Sequence, residues 1–151
     1  MLVMSFTQKS GGEAATPENI ASGLKGMRVV RTTAYTYSRR ALAKDAKDCR
    51  LKTGSEHSAA ADWSRFPLGT KFKIAGTNKT YVIDDYGSAL VGTATIDLYM
   101  PSHHEMSRWG VRHVAIDIVE PGSYKRSLEL LNSRKHVRCV REMVHNLEQK
   151  L

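Results

Sequence analysis

Residues 84–101, DDYGSALVGTATIDLYMP, set three carboxylates into a run that is otherwise apolar, small or hydroxylated. Asp84 and Asp85 open it and Asp97 lies near its end. The flanking YVI and TIDLYM are β-branched and aromatic, which predicts strands on either side of a glycine-punctuated loop. A charge taken into a packed sheet is costly unless something compensates it. These aspartates are therefore either turn and surface residues or the lining of a cleft that needs an acid.

Alternation along TATIDLYM places Ile96 and Leu98 on one face and Thr95, Asp97 and Tyr99 on the other. The same arithmetic in VAIDIVE sets Asp117 opposite Val114, Ile116 and Ile118, so Asp117 is an internal control, expected to face solvent. Pattern alone does not separate the two. Asp62, before WSRFPLG, and Asp85, in DDYG, both suit turn positions where the side chain accepts from nearby backbone N–H groups.

Working outward, short strands with turn signals between them continue on both sides. MRVVRTTAYTYS predicts an opening strand, and FPLGTKFKIAG a Pro-Leu-Gly-Thr turn feeding the alternation of Phe72 and Ile74 against Lys71 and Lys73. NKTYVID and VRHVAIDIVEPG predict two more. SHHEMSRWG predicts a short helix capped by Ser102 and stopped by Gly110. This density of short strands points to a small barrel or sandwich rather than parallel βαβ units. The segment RRALAKDAKDCRLKTGSEHSAAAD is polar and less periodic; RRALAKDAKDC suits a short helix and most of the remainder is expected to be an excursion. After Gly122 the period changes, with Val137, Val140, Met143, Val144, Leu147 and Leu151 at three- and four-residue steps, predicting an amphipathic helix.

The chain has 151 residues, 41% hydrophobic and 25% charged, enough for one folded domain with its own core. Residues 1–27 are expected to be a flexible leader, 28–121 the barrel domain and 122–151 a C-terminal helical extension. MLVMSF is too short for the apolar region of a secretion signal, and no apolar run reaches the ~20 residues of a membrane span. The net charge is +8, with 7 Lys or Arg against 3 Asp or Glu in residues 122–151. Such a chain concentrates near anionic polymers: nucleic acid, cell-wall polymers or lipid head groups. Cys49 and Cys139 form neither a disulfide framework nor a zinc pattern, and their pairing stays open. His103, His104 and Glu105 lack the i, i+4 spacing of a metalloprotease helix. Phosphate-loop and dinucleotide signatures are absent, so neither metal nor cofactor is expected. The basic and aromatic RTTAYTYSRR is unsupported by any nucleic-acid-binding signature.

Taken together, TAYT, ADWSRFPLGTKFKI, DDYGSALVGTATIDLY and HEMSRWGVRHVAIDI resemble the three-aspartate (3D) domain, which is itself similar to the catalytic core of the membrane-bound lytic transglycosylase A family, over about Val29 to Val119. The resemblance implies a six-stranded double-psi β-barrel. It also implies a cell-envelope setting and cleavage of the β-1,4 bond between N-acetylmuramic acid and N-acetylglucosamine in peptidoglycan, without water, leaving a 1,6-anhydro sugar. Asp97 falls on the family's catalytic acid, and Asp85 and Asp62 on its supporting aspartates; Asp84 is supernumerary. Thr33, Tyr35 and the Gly87, Ser88 and Ala89 loop are candidates for orienting sugar or carboxylates. Burial and like-charged neighbours both raise a carboxyl pKa, so a cluster of three aspartates is expected to keep Asp97 protonated until a glycosidic oxygen accepts the proton. The alternatives are a peptidoglycan-binding module on the same barrel that performs no chemistry, and nucleic-acid binding through the basic tail.

Overall fold

Alternating burial writes the barrel into the chain. In the computed structural model, which describes residues 26–36 and 56–151, six strands close on themselves in the order β1-β5-β2-β4-β3-β6. They are β1 (Met27–Tyr35), β2 (Glu56–Ala60), β3 (Lys71–Ile74), β4 (Thr80–Asp85), β5 (Ile96–Tyr99) and β6 (Arg112–Glu120). β1 runs parallel to β5 and β2 parallel to β4, while the other pairings are antiparallel. This closed, mixed six-stranded barrel is the architecture that the sequence resemblance implied. Closure removes the sheet edges that would otherwise offer unpaired backbone groups to other chains.

Inward residues are those the period-2 pattern selects. Phe72 and Ile74 are buried between exposed or half-buried Lys71 and Lys73, and Ile96 and Leu98 are buried on either side of Asp97. Val30, Tyr81, Ile83 and Ile116 complete the barrel interior. The buried hydroxyl of Thr32 is satisfied twice, donating to Arg112 O at 2.9 Å and accepting from Trp109 Nε1 at 3.1 Å. Trp109 ends helix α1 (His103–Trp109), whose Ser102 cap accepts from Glu105 N–H and whose Gly110 takes a positive φ of 62°, as its sequence predicts. Arg112 closes the helix's C-terminal end by donating to the carbonyls of Arg108 and Trp109.

One strand lies where the sequence suggested an excursion. β2 is EHSAA, two polar residues followed by small ones, with no β-branched or aromatic residue to announce it. It nevertheless sits between β5 and β4. There, Ala59 and Ala60 are buried against both neighbours, and small side chains suit that crowded position. The short helix expected around residues 39–49, and Cys49 with its pairing to Cys139, lie outside the described residues.

At the C terminus the expected amphipathic helix is present as α3 (Arg138–Glu148), and a second helix, α2 (Tyr124–Asn132), precedes it. The break falls at Asn132 and Ser133, residue types whose side chains compete for helix backbone groups; Ser133 Oγ donates to Leu130 O. Val140, Met143, Val144 and Leu147 of the apolar stripe are buried, together with Leu131 of α2, in one cluster with the barrel core. Val137 and Leu151, at the ends of the stripe, are exposed. Among the described residues, no helix is long and apolar enough to cross a membrane.

The helix pair leaves the barrel at Gly122, which lies against the turn of residues 67–70. A Cβ there would sit 2.4 Å from Pro67 O and 2.6 Å from Thr70 N, both backbone atoms. Gly122→Ala is therefore expected to lower stability by about 1–3 kcal/mol, read as a shifted urea midpoint; a midpoint within error of the unmutated protein would refute the close approach.

Candidate functional site

The side chains that meet at one end of the barrel follow from its register. Thr33 of β1 pairs with Asp97 of β5, Asp97 with Ala60 of β2, and Ala60 with Asp85 of β4. A single row thus crosses four strands, with Asp97 and Asp85 on either side of a small alanine. At ordinary strand spacing their backbones lie roughly 10 Å apart. An open cleft of about 480 Å³ lies over this row. Of the residues singled out from the sequence, Asp97, Asp85, Thr33, Tyr35, Gly87, Ser88 and Ala89 all line it.

A β-bulge determines which of the two adjacent aspartates faces the cleft. The register runs from Ala59 opposite Ile83 to Ala60 opposite Asp85, skipping Asp84. The extra residue bends the strand and re-aims the side chain after it. Asp85 enters the cleft row, and its Oδ1 accepts from Tyr86 N–H at 2.8 Å. Asp84 instead accepts from Ser58 Oγ at 2.7 Å. The doubled aspartate at the start of the decisive stretch is the bulge.

Asp62 does not reach the cleft. It is fully buried, and its Oδ1 accepts from Ser64 N–H at 2.9 Å and Ser64 Oγ at 2.7 Å. Its Oδ2 accepts from the Gly92 N–H at 2.8 Å, while Arg65 Nε approaches at 3.9 Å. Gly92 holds a φ of 83°, a conformation natural to glycine. Asp62 thus ties the turn before the Pro-Leu-Gly-Thr segment to the loop that walls the cleft. A buried carboxylate is tolerable only with such partners.

Asp97 is half-buried. Burial raises its carboxyl above the ordinary aspartate value, and the hydrogen bond from Thr33 Oγ1 to its Oδ1, at 2.8 Å, partly opposes the rise. The cause is desolvation; like-charged neighbours are not part of it, so the expected crowding among three aspartates is corrected. Oδ2 has no hydrogen-bond donor among the described residues, and Asp97 lines the cleft. The control residue behaves differently: Asp117 sits across from Met27 and Lys73, away from the cleft.

The helix pair supports the site from behind. Tyr86, a cleft residue, is held edge-on by Trp63, with ring centroids 5.2 Å apart, and its hydroxyl accepts from Arg134 at 3.3 Å. Glu142 of α3 stands beside Gly92, and Lys150 donates to Ser64 O. These supports come from a tail whose sequence predicted an amphipathic helix and a basic excess but no part in the cleft. Sequence reasoning also missed Arg31, Ala60, Tyr86, Leu90, Thr93 and Thr95 in the cleft wall. Arg31 could have been found, since it shares its strand face with Thr33 and Tyr35 at period 2; Ala60 carried no signal. Among the described residues, no group of three His, Cys, Asp or Glu is placed to hold a metal ion, and His103 and His104 are exposed on α1.

The model of the 3D domain family, the one the sequence resembles, matches residues 57–120. The match spans β2 to β6 and includes Asp62, Asp85 and Asp97, while β1, with Thr33, lies outside it. No curated protein matches the sequence.

Two measurements check this geometry. An acid whose folded-state pKa is raised binds its proton more tightly folded than unfolded, so stability is lost as pH rises from about 4 through the folded pKa. Asp97→Asn is therefore expected to melt at a higher temperature than the unmutated protein at neutral pH, with the difference vanishing in acid; equal melting across the range would contradict the raised pKa. Asp62→Ala strands the Ser64 and Gly92 donors and is expected to cost about 3 kcal/mol of stability in denaturant titration. A cost below about 1 kcal/mol would show that the carboxylate is not the tie described.

Proposed function

We propose that this 3D-domain protein is a peptidoglycan lytic transglycosylase acting at the cell envelope, with Asp97 as its single general acid and base. A cell-wall role is consistent with the domain family. The observation that carries the finer reading is Asp97 itself: a carboxyl lining an open cleft, raised by burial, one oxygen held by Thr33 and the other without a donor among the described residues.

The chemistry requires one group twice. Protonated Asp97 gives its proton to the oxygen joining the muramyl C1 to the next sugar, and the C1–O bond breaks. The muramyl 6-hydroxyl then bonds to C1, and the Asp97 carboxylate takes that hydroxyl's proton. Atoms balance without water, the acid is restored, and the product ends in a 1,6-anhydro ring. Because the nucleophile belongs to the substrate, its attack is intramolecular and benefits from proximity. A raised pKa serves the first step, since an effective general acid holds its proton near the working pH. Thr33 fixes the carboxyl plane and leaves Oδ2 for both transfers. Asp85, across Ala60, is proposed to accept from sugar hydroxyls on the opposite bank, with Tyr35 and the Gly87–Ala89 loop bounding the glycan. Asp62 acts in this scheme as a positioning residue.

The second reading is a glycan-binding module that performs no chemistry. It is favoured by the engagement of Asp62's two carboxylate oxygens in holding the turn and loop together, which leaves Asp85 and Asp97 as the aspartates of the cleft. Purified sacculi separate the two. The unmutated protein is expected to release anhydromuropeptides, detected by mass spectrometry, and Asp97→Asn to release at least a hundredfold less, the upper range for loss of a general acid being about 10⁴. Binding to sacculi without product from the unmutated protein would overturn the enzyme reading in favour of the module.

A further inference from the structure

Arg31 stands on the cleft face of β1, two residues before Thr33 and about 7 Å from it along the strand. Its Nη1 donates to Thr95 Oγ1 at 3.3 Å, so a hydroxyl just before β5 steers the guanidinium. Among the described residues it forms no ion pair. Two other arginines are committed within the fold: Arg65 to Asp62 and to Gly92 O, and Arg112 to the end of α1. Arg31 is exposed, so its remaining donors face the cleft and solvent.

We infer that Arg31 forms a carboxylate-binding subsite one step along β1 from the Thr33–Asp97 pair, and that it selects glycans carrying a carboxylate beside the bond presented to Asp97. This rests on the glycan-cleaving reading above. A planar guanidinium matches a carboxylate through two parallel hydrogen bonds, and such charge-assisted bonds are stronger than neutral ones. The muramyl sugar supplies that chemistry in two ways. Its lactyl ether ends in a free carboxylate where the peptide stem has been removed. Where the stem is attached, the lactyl group is an amide and the stem's own carboxylates are the anions.

Binding measured on the Asp97→Asn background tests the subsite without turnover. The probes are soluble glycan stripped of stems by amidase, the same glycan with its lactyl carboxylates converted to amides, and stem-bearing strands. Asp97→Asn is expected to bind the stripped glycan on the order of tenfold more tightly than its amidated form. Adding Arg31→Gln is expected to abolish that difference by weakening binding of the stripped glycan far more than that of the amidated one, and Arg31→Lys to retain part of it. An Arg31-dependent advantage confined to stem-bearing strands assigns the carboxylate to the stem and still supports the subsite. Equal weakening on charged and amidated glycans, no effect of Arg31→Gln, or no binding to any of the three overturns it. Failure of the unmutated protein to release product from sacculi would remove the enzyme reading alone, because the charge preference is read from binding.

Discussion

Asp62 is a carboxylate placed where water cannot reach it, and the surrounding structure is organised to answer it. Such a group needs several donors close at hand, and two come from Ser64, immediately downstream, while the third is the backbone of Gly92. That third bond spans a separation of 30 residues. It ties the far end of the cleft loop to the turn that precedes β3. The helix pair reinforces the same two segments through Arg134, Glu142 and Lys150.

With the loop tied, the barrel's register determines the chemistry available. A residue of almost no volume, Ala60, separates the strand positions of Asp97 and Asp85 and leaves room above them. The bulge at Asp84 sets which of two chemically identical neighbours takes part. Asp97 then owes its raised pKa to burial at the cleft rather than to repulsion from other carboxylates. That distinction matters for mechanism. An acid raised by desolvation responds to whatever further excludes water, so any molecule filling the cleft without charge of its own would push the pKa further up.

The amino-acid sequence by itself determined most of the strands, because period-2 burial is a local property: Phe72 and Ile74, or Ile96 and Leu98, declare their face without reference to the rest of the chain. It determined α1 through Ser102 and Gly110, whose capping roles depend on adjacent backbone only, and it carried the motifs by which Asp62, Asp85 and Asp97 stand out together. Tertiary structure alone decided what pairing and enclosure create. β2 is a strand because β4 and β5 hold it, Asp97 differs from the similarly patterned Asp117 because the register brings Asp97 and not Asp117 to this cleft, and Asp62 is a tie because Gly92 is brought to it. Hydrogen bonds between distant segments and the exclusion of water are set by where the chain returns, and no short stretch of residues encodes that return.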